Sequence, residues 1–186
     1  YCLAINSLAD SLKGTANVYS LIAPISAGVM LDKSVIEQTG SSDEEEAINW
    51  MYANMDENVK TVSVFETLRA HNAEYIYFHT DHHWTALGAY YAYTDFCKAK
   101  GIEPHALSSF KTYTFPDYLG TFYSGSNQSE ELGSNPDTIT AYIPNGTNLM
   151  KTYMSNHDGT YTEYDWNIVF DVSDYDKSAL YSTFTA

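Results

Sequence analysis

Val59–Lys100, VKTVSVFETLRAHNAEYIYFHTDHHWTALGAYYAYTDFCKAK, is the stretch that decides the fold class. Val59 to Val64 is a short apolar run of strand character. Glu66 to Ala70 reads as a brief helical connection, and Glu74 to Phe78 (EYIYF) as a second strand. From Thr85 to Lys100, the residues Leu87, Tyr90, Tyr91, Phe96 and Cys97 recur loosely at helical period, and Gly101 supplies the stop. Strand, helix, strand, helix in this order predicts parallel pairing with helices packed on the sheet. The intervening His79-Thr80-Asp81-His82-His83-Trp84 then falls at the carboxyl end of a strand and the start of a helix. Open α/β sheets form their ligand crevices at such points.

Working outward, Ile5, Leu8 and Leu12 share helical spacing, with Gly14 just beyond them. Asn17 to Ala23 (NVYSLIA) is a buried strand candidate that Pro24 ends. Ser42 to Glu45 spells an S-x-x-E capping box, with Ile48, Met51, Tyr52 and Met55 following at helical spacing. After Pro104 the chain turns rich in Tyr, Thr, Ser, Gly and Asn. Strand-like stretches stand at Phe110 to Phe115, Thr138 to Ile143, Leu149 to Met154 and Asn167 to Val172. His157-Asp158-Gly159-Thr160 between two alternating segments is a hairpin signal, since Asp-Gly suits the positive φ angles of a type I′ turn. We read residues 1–186 as one α/β domain: a mostly parallel sheet with flanking helices and an antiparallel β-rich C-terminal elaboration.

Composition narrows the partners. With 44% apolar and 15% aromatic residues and only 18% charged, the chain is globular and not disordered. Nine Lys and Arg against 24 Asp and Glu give a net charge of −15, which repels nucleic acid and anionic lipid headgroups. Cys2 and Cys97 lie far apart with no metal-ligand spacing around them, and the core preference of cysteine favours free thiols over a disulfide. The longest apolar run, Val18 to Leu31, is broken by Pro24, Ser26 and Gly28, so no integral membrane segment is expected in this chain. A chain that opens on Tyr1 is expected to belong to a longer protein with a targeting segment upstream.

His79, Asp81, His82 and His83 form the dense acid/base cluster of the sequence. It admits three readings. Asp81 can orient an imidazole whose other nitrogen takes a proton from a nucleophilic hydroxyl, as acyl transfer requires. The same groups can ligate a transition metal, although adjacent His82 and His83 do not readily face one ion and the four-residue spacing of His79 and His83 falls between a strand and a helix and not on a helix. Or Asp81 simply caps the following helix and the histidines are ordinary polar residues. Trp84 and Tyr77 flank the cluster and read either as core aromatics or as a binding platform for a sugar ring.

The run Tyr75-Ile76-Tyr77-Phe78-His79-Thr80-Asp81-His82-His83-Trp84-Thr85-Ala86-Leu87-Gly88-Ala89-Tyr90-Tyr91-Ala92-Tyr93 resembles the signature of the DHHW family. Leu21-Ile22-Ala23-Pro24 and Leu119-Gly120-Thr121-Phe122-Tyr123-Ser124 extend the resemblance, which spans Asn17 to Pro144. DHHW proteins are similar to the SGNH hydrolase-like domains of the alginate O-acetylation proteins, where the matching segment reads D-x-H-W. The resemblance implies that Asp81 is a triad aspartate and His83 a triad histidine, with His82 in the intervening position; His82 and the flanking Trp84 and Tyr77 are the candidates for ligand contact. It implies an esterase or O-acyltransferase of a bacterial cell surface or secreted fraction, with a polysaccharide or other glycan and an acyl donor as partners and no cofactor. It also implies a serine in a G-D-S-like or K-D-S-like elbow. The nearest matches, Ser11, Ser124, Ser126, Ser129, Ser173 and Ser178, do not sit in such an elbow. The nucleophile is therefore expected outside this chain, which the resemblance reads as one domain continued at both ends.

Overall fold

The computed structural model describes residues 1–184, which divide into two compact units: Tyr1–Tyr77 with Leu87–Pro104, and Phe78–Ala86 with the residues from His105 onward. Helix α1 (Cys2–Ser11) opens the first unit, with Cys2, Ile5, Ala9 and Leu12 on its inward side and Leu8 outside. Gly14 follows at φ 79°, the left-handed conformation that glycine adopts without strain. Strand β1 (Val18–Leu21) leads through the short helices α2 (Ser26–Met30) and α3 (Lys33–Gln38) to α4 (Glu44–Ala53). Strand β2 (Val59–Val62) then returns parallel to β1, Val18 against Val59 through Leu21 against Val62. Tyr52 on α4 ties the two strand ends together, its hydroxyl donating to the Val62 carbonyl and accepting from the Ile22 amide, each at 2.9 Å. Helices α5 (Phe65–Ala70) and α6 (Ala86–Lys100) complete the helical complement.

Two antiparallel ladders dominate the second unit. Strand β3 (Lys111–Tyr118) leads to two short helices, α7 (Thr121–Gly125) and α8 (Glu130–Gly133), and then to β4 (Asp137–Ile143). β3 and β4 pair from Lys111 against Ile143 to Phe115 against Ile139, and then Tyr118 against Asp137. Three residues on β3 thus oppose two on β4. The extra residue is a bulge at Pro116-Asp117, with Asp117 at φ 66°. Proline lacks a ladder donor and belongs at such an irregularity. The bulge matters because it resets the side-chain alternation, so that Phe115 and Tyr118, three apart, are both buried. Strand β5 (Leu149–Ser155) pairs with β6 (Tyr161–Asn167) in register from Leu149–Asn167 to Ser155–Tyr161, and no residue of either strand is buried. A 3-10 segment, Lys177–Phe184, closes the described chain and packs on β3 and β4.

Several expectations shift. Among the described residues the sheets are two-stranded, one parallel and two antiparallel, so the mostly parallel sheet is not what these residues form. Glu74–Phe78 is buried at Ile76, Tyr77 and Phe78 but is not a strand. Its backbone has other partners: the Ile76 amide bonds the Glu74 carbonyl and the Phe78 amide the His83 carbonyl, while just beyond the segment the His79 and Thr80 amides bond the Asp137 carboxylate. The α4 cap is Asp43, not Ser42; its carboxylate accepts the Glu46 amide at 3.0 Å and also meets Lys33 at 2.8 Å. The β5–β6 connection is a five-residue loop instead of a type I′ turn. His157 and Gly159 take the positive φ angles, while Asp158 accepts the Thr160 amide and hydroxyl. The last expected strand, Asn167–Val172, lies one element late: the ladder is β6, and Val169 and Val172 are buried in irregular chain. Both thiols are free, Cys97 buried and Cys2 half-buried. No helix of the described residues is long and apolar enough to cross a membrane.

Candidate active site

The site assembles within the second unit from the loop after Phe78, the end of β3 and the start of α7. Asp81 is 1% exposed, yet both its oxygens are fully occupied. Oδ1 accepts the His83 amide at 2.9 Å and His83 Nδ1 at 2.5 Å. Oδ2 accepts the Tyr118 hydroxyl and the Thr121 amide, each at 2.8 Å. Burial by itself pushes the carboxyl up, but the hydrogen bonds from the Thr121 and His83 backbones, Tyr118 and the His83 ring outweigh it and hold Asp81 at about 2. An ionised carboxylate is an acceptor only, so Nδ1 of His83 carries a proton in this pair, and in the neutral imidazole the lone pair is then on Nε2. The imidazole itself is 38% exposed. A fixed tautomer, a buried anion behind it and a partly exposed ring are what a general base requires.

A second buried carboxylate holds the loop in place. Asp137 accepts the His79 amide at 2.9 Å, the Thr80 amide at 2.7 Å and the Thr80 hydroxyl at 2.5 Å. The same Thr80 oxygen accepts the Gly120 amide at 3.0 Å, and the Thr80 carbonyl accepts the amides of Phe122 and Tyr123. Each donor of the α7 first turn is thereby satisfied by the Thr80-Asp81 pair, a helix cap supplied from a distant part of the chain. Gly120 cannot be replaced cheaply: a Cβ there would stand 2.8 Å from the Asp81 Cγ and closer still to its Cβ.

Of the residues expected from the sequence, Asp81, His82 and His83 come together, their ligand-type atoms within 4.8 Å of one another. His82 is exposed, and its Nδ1 lies 2.6 Å from the Thr121 hydroxyl. His79 instead faces Asp137, with Nδ1 at 3.4 Å. For a metal ion the donor set fits poorly, because any bond to Asp81 displaces one of its four hydrogen bonds. Trp84 is half-buried. Tyr77, in the first unit, is 4% exposed and donates its hydroxyl to the Pro24 carbonyl at 2.7 Å, the core placement held open beside a binding role. The loop serines are engaged locally, Ser124 with the Gly120 carbonyl and Ser126 with that of Tyr123. Sequence reasoning passed over Tyr118, Gly120, Thr121 and Asp137. Leu119-Gly120-Thr121 did carry a signal, as part of the downstream resemblance, whereas Asp137 after Pro136 reads like any turn residue before a strand.

The first unit has a cavity of about 550 Å³ lined by α2 and the start of α4. Several of its charged groups are matched to one another or to backbone, Arg69 with Glu45 and the Gly28 carbonyl, Glu44 with the Ile25 amide, Asp43 with Lys33.

Fold and site together define a mixed α/β protein built around a buried aspartate and a partly exposed histidine. The DHHW protein family model matches residues 1–186, and the chain belongs to that family. It is similar to a DHHW family protein from Eubacterium siraeum whose crystal structure is known, at 30% identity and a TM-score of 0.81, over 99% of this chain and 59% of that one. Bacillus cereus PatB1 shares the fold at a TM-score of 0.70 and 19% identity, over 98% of this chain and 63% of PatB1. PatB1 with a sulfonyl adduct aligns at 0.68 and 18%, over 98% and 60%. The chain thus spans less than two thirds of the length of each of these proteins. No curated protein matches the sequence.

Proposed function

We propose that Asp81 and His83 are the acid/base half of an acyl-transfer site in an SGNH-like domain, acting as an esterase or O-acyltransferase on a glycan at the bacterial cell surface or outside the cell. The observation that carries the reading is the 2.5 Å bond from His83 Nδ1 to a buried, ionised Asp81, with Nε2 left to accept a proton. In the proposed reaction Nε2 takes the proton of a serine hydroxyl as its oxygen attacks the acyl carbonyl. The imidazolium returns that proton to the departing alkoxide, leaving an acyl-enzyme. Water or a sugar hydroxyl then gives up a proton to Nε2 and takes the acyl group, which regenerates the serine. The serine belongs, on this reading, to a part of the protein beyond these residues. Family membership and the shared fold of PatB1, known also as a sulfonyl adduct, support the assignment. A sulfonyl group bound covalently is what a nucleophile forms with an activated sulfonyl reagent.

The test is labelling of the full-length protein with a fluorophosphonate and with a sulfonyl fluoride, mapped by mass spectrometry beside His83→Ala. We expect one serine labelled in the wild type and no label in the variant; equal labelling of both would sink the base assignment. A second reading, a glycan-binding surface module without catalysis, is favoured by the exposed aromatic rings of β5 and β6, Tyr153, Tyr161, Tyr164 and Trp166. No label in either protein, with glycan binding that survives loss of Asp81 and His83, selects it.

A further inference from the structure

Tyr181 lies on the closing 3-10 segment, about a hundred residues from the histidines, and its ring stacks on that of His83, with centroids 4.5 Å apart and planes 19° from parallel. The same Tyr181 ring stacks on Tyr118 at 6.3 Å and 27°, and meets Phe78 edge-on at 6.2 Å and Phe184 at 5.2 Å. Tyr118 in turn donates its hydroxyl to Asp81, which accepts His83 Nδ1. Asp81, His83, Tyr181 and Tyr118 therefore close a cycle, two links of hydrogen bonding and two of ring stacking. The segment that carries Tyr181 is anchored on both sides. Leu180 and Thr183 are buried, the Thr183 hydroxyl donates to the Phe170 carbonyl at 2.7 Å, and the Phe170 amide bonds the Thr183 carbonyl.

We infer that Tyr181 is a positioning residue for His83, fixing the imidazole plane that the Asp81 hydrogen bond alone leaves free. One hydrogen bond sets the direction of Nδ1 but permits the ring to turn about the Nδ1–oxygen line. A flat aromatic face at 4.5 Å and 19°, closer to parallel than the neighbouring His82 ring at 3.8 Å and 37°, limits that rotation and so sets where Nε2 points. The face also suits the state that forms on proton transfer, since an imidazolium is drawn to the negative face of an aromatic ring. The value of this placement for catalysis rests on the reading of His83 as the base, whereas the placement itself does not.

The experiment is NMR on the imidazole of His83 in the wild type, Tyr181→Phe and Tyr181→Met. In the wild type and the Phe variant we expect ring-current displacement of the His83 ring protons, one tautomer with hydrogen on Nδ1, and a slowly exchanging Nδ1 proton. In the Met variant, which keeps bulk but not a flat face, we expect the displacement to fall to the part that the His82 ring, 3.8 Å away, still supplies, and Nδ1 proton exchange to quicken by roughly three- to tenfold, the scale of one aromatic stack. Amide signals of His79 and Thr80, which are held by Asp137, report that the loop is still folded. A Met variant with wild-type exchange and tautomer overturns the inference. So does a wild type without the ring-current displacement, which decides the matter even where the Met variant fails to fold. Serine labelling that persists in His83→Ala, with Tyr181 still governing the tautomer, would remove the base assignment and leave this inference standing.

Discussion

The two antiparallel ladders of the second unit have nearly equal length and opposite roles. β3–β4 buries one residue in two along β4, at Asp137, Ile139 and Ala141, and sets Phe115 and Tyr118 inside from β3. β5–β6 buries nothing and is decorated by a surface charge pattern in which Lys151 meets Glu163 at 2.8 Å and Asp165 at 2.7 Å. Backbone pairing is continuous in β5–β6 and interrupted by the bulge in β3–β4, so completeness of the ladder is not what buries residues. What separates them is whether the side chains that the pleat presents have anything to pack on or bond to. In β3–β4 the answer reaches the chemistry: the paired residues Tyr118 and Asp137 hold, respectively, Asp81 and the loop before it.

The strongest way to break this contrast is to take Asp137 away. Asp137→Ala strands two backbone amides and the Thr80 hydroxyl, all at or near the protein interior, at about 1–3 kcal/mol each before water enters. We expect a loss of about 4 kcal/mol in urea unfolding followed by near-ultraviolet circular dichroism, and loss of serine labelling in the full-length protein. A loss below about 1 kcal/mol, the size of an ordinary surface change, would mean that the loop holds itself. Gly120→Ala comes next. Its methyl group needs the space of the Asp81 side chain, and overpacking of this kind costs about 1–3 kcal/mol. Labelling should fall with stability, because the shift displaces the carboxylate that orients His83.

Acid titration sharpens the same point. Asp81 is held at about 2 in the folded chain against an ordinary 3.8, so its ionised form binds the fold more tightly than its protonated form. The stabilisation is present above the unfolded value and is lost as pH falls through the window from 3.8 to about 2, in total roughly 2 kcal/mol. Asp81→Asn, which has no proton to gain there, should flatten the fall of melting temperature across that window. An identical slope in the wild type and the variant would show that other carboxylates carry the acid sensitivity.

Sequence alone made the Asp81–His83 pair legible and hid its frame. Asp81 and His83 lie two residues apart in a dense, unusual motif, and Ile48 and Met51 in α4 follow a period that tertiary packing did not override. Glu74–Phe78 misled because a buried apolar run looks the same in a strand as in a loop, here one whose Phe78 amide turns to the His83 carbonyl and whose continuation, His79 and Thr80, is held by a remote carboxylate. That carboxylate, Asp137, stands 57 residues from Thr80. Tyr181 was hidden for the same reason: one tyrosine among 17 gives no local sign of which ring it will meet. Long-range hydrogen bonds and stacks have no period, so only the Leu119-Gly120-Thr121 resemblance pointed toward the partner of Asp81.

The smallest expected effect is on the outer ladder, and its smallness is the point. Met154 on β5 is 59% exposed and pairs across to Thr162 without packing on a core. Met154→Thr exchanges an unpacked apolar chain for a β-branched one that a strand accepts well, so stability should move by no more than about 0.5 kcal/mol in either direction. Tyr118, on the inner ladder, is the matched control. Tyr118→Phe keeps the ring yet removes the hydroxyl that Asp81 accepts, and should cost about 1–3 kcal/mol while raising the acid midpoint of unfolding. If the two substitutions prove equal, the division between a framing ladder and an outlying one fails. If they differ in the expected order, what Tyr118 contributes is its bond to Asp81 and not its membership of a strand.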